Sequence, residues 1–241
     1  MRYREDDAVM KLIVITAESF LEGEAEALNL LFENGLKVLH LRKPHASQNE
    51  TKAFIEEIKP GFHPRIVLHD YYDLTGWFDL KGIHLNSRNQ EAFFRVIDSG
   101  RAVHIQPALS VSGNGNMIDN KRPADRCWLS VSRSCHSLEE IMESPSFDYL
   151  FLSPVFDSIS KTDYKQGFTP ERLREAKSGK IIGEKVIALG GITAENVPVV
   201  RDYGFGGIAV LGALWSDFER NSNMNELLKL FNELEIKCEG Q

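Results

Sequence analysis

The sequence predicts an α/β protein with a single domain, a (β/α)8 TIM barrel that carries an insertion between its fourth and fifth strands. Short apolar runs rich in β-branched residues alternate with helical patterns along the 241 residues, and this alternation is typical of a parallel sheet covered by helices. The chain is 42% hydrophobic, which suffices for one large core. The loop after the first run reads TAESF. It lacks the glycine-rich turn of a doubly wound open sheet, so the closed barrel is favoured.

The apolar runs supply the eight strands of such a barrel. They cover residues 11–16, 37–42, 65–69, 82–85, 127–132, 148–153, 185–191 and 207–212. The segments between them show apolar residues at helical spacing, and in the first of these Ser19 is a predicted N-cap and Gly35 a predicted C-terminal stop. Residues 1–10 form a polar lead segment. Residues 101–125 are long for a barrel connection and rich in Gly, Asn, Ser and Pro, which predicts an insertion loop. This loop either closes over a ligand or is a solvated elaboration.

Charge, cysteine content and hydropathy exclude several classes of protein. The net charge is −7 and no stretch is densely basic, so neither nucleic acid nor a membrane is an expected partner. The three cysteines make no CxxC spacing, which argues against a disulfide framework and a thiol-based zinc site. No apolar run approaches the ~20 residues of a membrane span. We therefore expect a cytoplasmic protein that binds small molecules. The sequence leaves open whether it is a homo-oligomer.

Functional side chains of such a barrel lie at the carboxyl ends of the strands, because the loops that follow them converge on one mouth. Alternation in KVLHLR places His40 and Arg42 on the interior face and Leu39 and Leu41 against helices. An inward arginine is costly unless an anionic group meets it. The same alternation directs His84 inward but lower in its strand, where a hydrogen-bonded core histidine is the favoured interpretation.

Glycines end the seventh and eighth predicted strands. Gly190 and Gly191 follow one strand, and Gly212 with Ala213 follows the other. Glycine lets backbone N–H groups approach an oxyanion closely, and the loops after these two strands form the usual phosphate site of such barrels. The sequence therefore predicts a phosphate site made of backbone amides. Tight turns without a ligand are the alternative.

Seven stretches, in order, resemble the family of thiamine phosphate synthase and the TenI-type thiazole tautomerase. They are HLRKP, IVLHDYYDL, GIHL, SRSCHSLEE, DYLFLSPVFDSISK, IALGGITAENV and GIAVLGAL. The resemblance as a whole extends from about Lys11 to Leu214. The resemblance implies an enzyme of thiamine biosynthesis that binds a thiazole phosphate carboxylate in the barrel mouth. The synthase joins this compound to a pyrimidine diphosphate and releases Mg²⁺-bound diphosphate, whereas the tautomerase shifts a proton to make the thiazole aromatic. Ser153 and Lys161 match the phosphate-facing loop of the synthase.

Departures from the synthase pattern concern the metal and the diphosphate. The synthase usually reads Gln-x-Arg-x-Lys at strand two, where this chain reads HLRKP. His40 and Pro44 therefore stand where the synthase has the glutamine and the lysine. Lys43 is adjacent to the second position, but its side chain is expected to point away from the site. The Asn-Asp pair of strand three becomes His69 and Asp70, so Asp70 is the metal ligand that the resemblance implies for a synthase. The second metal carboxylate falls on Asn89, and an amide in place of a carboxylate should weaken Mg²⁺ binding.

The region after strand five is similar to the tautomerase instead. That branch carries His-x-Arg at strand two, matched by His40 and Arg42, and Gly-Arg-Ser-Val-His-Ser after strand five, matched by residues 132–137. The resemblance makes His136 the proton-transfer residue. An imidazole, with an ordinary pKa of ~6.5, suits proton transfer at neutral pH.

Further roles follow from the same resemblance. Either His40 or Ser134 would orient the ring, and Arg133 would contact the substrate. A purely local role is the alternative, because Ser137 and Glu140 also form a capping box and His136 would then only precede a helix.

The first hypothesis is thus a thiazole tautomerase that needs no cofactor, with Arg42 holding the substrate carboxylate by a two-pronged contact. The alternative is thiamine phosphate synthase (thiamine-phosphate pyrophosphorylase), with Mg²⁺ bound by Asp70. A non-catalytic binder of phosphorylated metabolites is a third hypothesis. A metal site formed by His40, His69 and His136, which all lie near strand ends, is a fourth.

Overall fold

The computed structural model describes residues 9–86, 129–144, 147–157 and 167–240. Within these residues, parallel strands form a closed barrel in which each strand lies beside the next and the last pairs with the first. The strands are β1 (Lys11–Ile15), β2 (Val38–Leu41), β3 (Ile66–Leu68), β4 (Gly82–Leu85), β5 (Ser130–Cys135), β6 (Tyr149–Leu152), β7 (Val186–Leu189) and β8 (Gly207–Val210). The predicted (β/α)8 fold is confirmed. The predicted insertion at 101–125 and residues 1–8 of the predicted lead segment lie outside the described residues.

Helices cover the outer face of the barrel. They are α1 (Glu24–Glu33), α2 (Gln48–Glu57), α3 (Leu138–Met142), α4 (Pro170–Ser178), α5 (Val197–Asp202), α6 (Gly212–Asn221) and α7 (Met224–Glu239), with 3₁₀ helices at Pro60–Arg65 and Tyr72–Gly76. None of these described helices has the length and apolar character needed to cross a bilayer.

The fifth strand was predicted three residues too early. Seven predicted strands match the observed ones to within two residues, but the fifth covers Ser130–Cys135 instead of 127–132. The polar residues SRSC, at 132–135, were interpreted as a loop because the sequence does not show which residues they hydrogen-bond. In the barrel, Ser132 pairs in register with His84 on one side and Tyr149 on the other. Polar residues can occupy a buried strand when their hydrogen bonds are satisfied.

The predicted N-cap of α1 is also wrong. The helix begins at Glu24, after Gly23 at φ 73°, and the carbonyl of Ser19 instead accepts a hydrogen bond from Nζ of Lys43 at 2.8 Å. The predicted stop is confirmed. Gly35 has φ 113°, a conformation in which glycine avoids the strain of other residues.

Two apolar layers follow from the alternation along each strand. Leu39 and Leu41 belong to the large core between strands and helices, as predicted. The barrel interior holds a smaller group of buried side chains. These are Ile13, Ile15, Tyr149, Phe151, Ile187 and Ala209.

The barrel closes where β1 pairs with β8. Two further contacts tie this junction to the C-terminal helices. The indole Nε1 of Trp215, in α6, donates to the carbonyl of Ile15 at 2.7 Å. The amide of Met10 donates to the carbonyl of Cys238, in α7, at 3.0 Å.

Candidate functional site

Three histidines on neighbouring strands meet inside the barrel. His40 lies in β2, His84 lies in β4, and His69 directly follows β3; their exposed fractions are 0%, 0% and 5%. Nδ1 of His40 lies 2.9 Å from Nε2 of His69, so one of these nitrogens donates to the other. The rings of His69 and His84 are stacked, with centroids 4.3 Å apart. The predicted inward orientation of His40 and His84 is confirmed.

Hydroxyl groups of β5 and β6 surround this cluster. His84 bonds to the hydroxyl of Ser132 through Nδ1 and to that of Ser134 through Nε2, both at 2.8 Å. Nε2 of His40 lies 2.7 Å from the phenolic oxygen of Tyr149. His84 is therefore a hydrogen-bonded core histidine, as predicted. Sequence reasoning missed Tyr149, although the same alternation in DYLFLS places it and Phe151 on the interior face.

Burial disfavours the charged forms of His40, His84 and Tyr149. Burial, followed by the nearby charge of Arg42, lowers the pKa of His84 to about 3. Burial, followed by His84 and Lys81, holds the pKa of His40 well below its ordinary value of 6.5. Burial also raises the pKa of Tyr149 above its ordinary value of 10.0. In each case the cause is the cost of placing a charge in a poorly solvated interior.

Arg42 follows β2 and remains partly exposed. Its guanidinium pairs with the carboxylate of Glu18 at 2.9 Å, and 27% of its side chain is accessible. Its amide donates to the hydroxyl of Thr16 at 2.9 Å, which links the loop after β1 to the end of β2. An anionic ligand would therefore meet an arginine that already has a carboxylate partner.

Lys43 points away from the interior, as predicted. Its ammonium group forms a buried pair with Glu24, at 2.5 Å from Oε2 and 2.7 Å from Oε1. It also donates to the carbonyl of Ala17 at 2.9 Å. Lys43 is thus a structural residue that holds the loop after β1 against α1.

The structure does not bring Arg133 into the mouth. Within β5, Ser132 and Ser134 face His84, so Arg133 between them faces the helices, where it donates to the hydroxyl of Ser144 at 2.9 Å. This orientation does not support the predicted substrate contact of Arg133, and it arises because the strand extends past the point at which the sequence suggested a loop.

His136 follows β5 on the exposed side of the barrel rim. Its Nδ1 lies 3.0 Å from the carbonyl oxygen of Ser153, to which it donates. This contact leaves Nε2 as the acceptor nitrogen of the neutral ring. The local alternative also holds in part, since the side chain of Ser137 accepts from the amide of Glu140 as the N-cap of α3. His136 thus precedes a helix and also contacts the end of β6.

The two predicted glycine turns lie after β7 and β8. Gly190 and Gly191 have φ 97° and 63°, and a Cβ on Gly191 would lie 2.2 Å from the carbonyl oxygen of Asp157. Gly212 is the first residue of α6, whose N-terminus has no side-chain cap. Close approach of the backbone requires glycine at position 191, and the uncapped helix start presents N–H groups that suit an anion.

Asp70 supplies a half-buried carboxylate directly after His69. Mg²⁺ in enzymes is often held by one or two carboxylates, several waters and the oxygens of a phosphorylated substrate. Asp70 fits such a partial site, whereas the adjacent imidazole of His69 is a softer donor. Asn89 and Lys161 lie outside the described residues, so their predicted roles remain predictions.

Comparisons with known proteins are consistent across sequence and structure. A family model described as thiamine monophosphate synthase matches residues 120–214. A thiamine-phosphate synthase of Desulfitobacterium hafniense is 27% identical over 209 residues, which cover 85% of this chain and 86% of that protein. The solved thiamine phosphate pyrophosphorylase from Bacteroides thetaiotaomicron is 36% identical with a TM-score of 0.71, over 95% of this chain and 97% of that one. A second, from Pyrococcus furiosus, is 24% identical with a TM-score of 0.61 over 95% and 98%, and shows the fold alone.

Proposed function

The chain belongs to the thiamine phosphate synthase and TenI family of thiamine-biosynthesis enzymes, and from this premise we propose that it joins a pyrimidine diphosphate to a thiazole phosphate. The observation that carries the proposal is the likeness to the Bacteroides thetaiotaomicron pyrophosphorylase, at 36% identity over 95% of the chain. Relatives named thiamine-phosphate synthase support the same branch.

The thiazole phosphate would bind at the glycine turns after β7 and β8. Backbone N–H groups of Gly190, Gly191, Gly212 and Ala213 would hold its phosphate, with Ser153 beside the turn. Amide donors that are already fixed in place bind an oxyanion without the cost of ordering a side chain. Lys161, which follows Ser153 in the sequence between β6 and α4, would add a positive charge to this phosphate site.

The pyrimidine diphosphate would lie toward β2 and β3. Arg42 would exchange Glu18 for an anionic group of a substrate, because a planar guanidinium binds such oxygens in two places. Asp70 would hold Mg²⁺ together with the oxygens of the diphosphate. When bound, the ion would neutralise part of the negative charge on the departing diphosphate.

A second candidate is the proton transfer of a thiazole tautomerase, and the contact of His136 favours it. The carbonyl of Ser153 holds the hydrogen on Nδ1, so Nε2 would act as a base at the barrel rim. The same ring would return the proton to another atom of the thiazole. This reaction needs no metal and no second substrate.

A paired assay on one preparation tests the two reactions. Diphosphate release that requires both substrates and stops with chelator supports the synthase; an ultraviolet change of aromatisation without Mg²⁺ supports the tautomerase. Asp70→Asn should abolish the first reaction and spare the second, and His136→Ala should do the reverse. His45→Gln, at an exposed position, is the matched control. If calorimetry detects binding of thiazole phosphate but neither reaction occurs, both proposals fail in favour of a non-catalytic binder.

A further inference from the structure

We propose that His40, His69 and His84 form a binding site for a divalent transition-metal ion of the Zn²⁺ class inside the barrel. One ring nitrogen from each histidine lies within 4.8 Å of those of the other two, and all three side chains are buried. In the part of the chain that the structure describes, His84 occupies the third position of this group, instead of the predicted His136. Neither reaction proposed above uses such a site.

The spacing of the first pair is close to that of two metal ligands. Zn²⁺ binds imidazole nitrogens at about 2.0–2.1 Å in tetrahedral geometry, which separates two ligating nitrogens by about 3.3 Å. Nδ1 of His40 and Nε2 of His69 are 2.9 Å apart. To admit the ion, the two nitrogens would have to separate by a few tenths of an ångström and their rings would have to turn from each other toward the ion. His84 is stacked on His69 and would close the third side by a small rotation.

The hydrogen bonds around the cluster suit ligands of a metal. A ligating histidine usually donates its other N–H to a fixed partner, which sets its tautomer. With Nδ1 of His40 on the metal, Nε2–H would donate to Tyr149, whose oxygen already lies 2.7 Å away. His84 contacts a serine hydroxyl at each ring nitrogen, so it retains one such partner whichever nitrogen binds.

The donor atoms select the kind of ion. All three ligands would be imidazole nitrogens. Mg²⁺ prefers charged oxygen ligands, whereas imidazole suits Zn²⁺, Co²⁺, Ni²⁺ and Cu²⁺. The remaining coordination position would take water or an anionic oxygen, since three neutral ligands leave the charge of the ion uncompensated.

The test uses the full chain without an affinity tag, stripped with a chelator and then loaded with Co²⁺. We expect one Co²⁺ per chain after desalting, with the intense visible bands of a four- or five-coordinate nitrogen site that excess Mg²⁺ does not remove. His69→Asn and His84→Gln should weaken Co²⁺ binding more than tenfold, and His45→Gln should leave it unchanged. Tyr149→Phe keeps all three imidazoles and should weaken binding by roughly tenfold.

Several results would overturn the proposal. They are the absence of stoichiometric binding to the wild-type chain, a weak octahedral spectrum, and binding that persists in both histidine variants. Circular dichroism checks that each variant is folded. If the histidine variants do not fold, the metal content and spectrum of the wild-type chain still decide, together with Tyr149→Phe.

Discussion

Arg42 and Lys43 are adjacent in the chain but carry their charges to opposite sides of the barrel wall. Successive residues at the end of a strand face opposite ways, so the sequence predicts this divergence. It does not predict the partners. Glu18 and Glu24 lie in and after the loop that follows β1, and no local pattern shows which carboxylate meets which cation.

The buried pair gives a first prediction, on stability. Glu24→Gln should lower the free energy of unfolding by about 3 kcal/mol, because it leaves the charge of Lys43 buried without a counter-charge. Urea unfolding measures the loss. Glu33→Gln is the matched control, since its pair with Lys59 is exposed and should contribute less than about 1 kcal/mol. Equal losses in the two variants would show that burial of the Lys43 pair is not what matters.

Arg42 gives a second prediction, on substrate binding. Arg42→Lys should raise the KM for the anionic substrate roughly tenfold, which is about 1.4 kcal/mol, because an ammonium group cannot make the two-pronged contact. Steady-state kinetics and thermal unfolding check it together. Stability should change little, since the pair with Glu18 is partly exposed. A variant with an unchanged KM would remove Arg42 from the binding site.

At the scale of elements, β5 shows where sequence patterns fail. The run CWLSVS at 127–132 looked like the strand, and the polar residues after it looked like a loop. The observed strand uses its serines as inward partners of His84 and turns Arg133 toward Ser144. Alternation alone could have found this arrangement only if the interior was already known to be polar. The other seven strands, including β2 and β4 with their inward histidines, were predicted to within two residues.

The turn after β7 gives a third prediction. Gly191→Ala should weaken phosphate binding and lower the free energy of unfolding by at least about 2 kcal/mol, since it combines a left-handed φ with an overlap against the carbonyl of Asp157. Calorimetry with inorganic phosphate and urea unfolding provide the two measurements. Gly183→Ala is the control, because a Cβ there meets no atom within 4 Å. If both variants behave like the wild type, the turn does not need glycine.

At the scale of the whole molecule, repetition made the fold predictable. Eight strand patterns that alternate with helical patterns are specific for this barrel fold, even though no single pattern is decisive. The alternation within two of these strands also predicted the inward positions of His40 and His84. The convergence of His69, Tyr149 and Ser132 could not be predicted, because it depends on how far each strand is staggered around the barrel. The role of His136 remains a prediction.

The C-terminal helix gives a fourth prediction. Phe231 is fully buried in α7, which packs on α1, α5, α6 and β1. Phe231→Ala should destabilise the whole barrel by about 3–5 kcal/mol, in a single transition. Ile236→Ala, at a position 47% exposed in the same helix, should cost much less. Thermal unfolding followed by circular dichroism compares them, and two separate transitions for Phe231→Ala would mean that α7 melts by itself.

The indole of Trp215 joins positions 200 residues apart in the chain, and it belongs to the helix that begins at Gly212. The junction of the first and last strands is therefore fixed to the same rigid segment whose leading amides would receive a phosphate. A phosphorylated compound bound there would stabilise the closed barrel. Its contribution to the free energy of unfolding would grow with the logarithm of its concentration relative to its Kd once the site is filled, so occupancy of the mouth and stability of the fold would rise together.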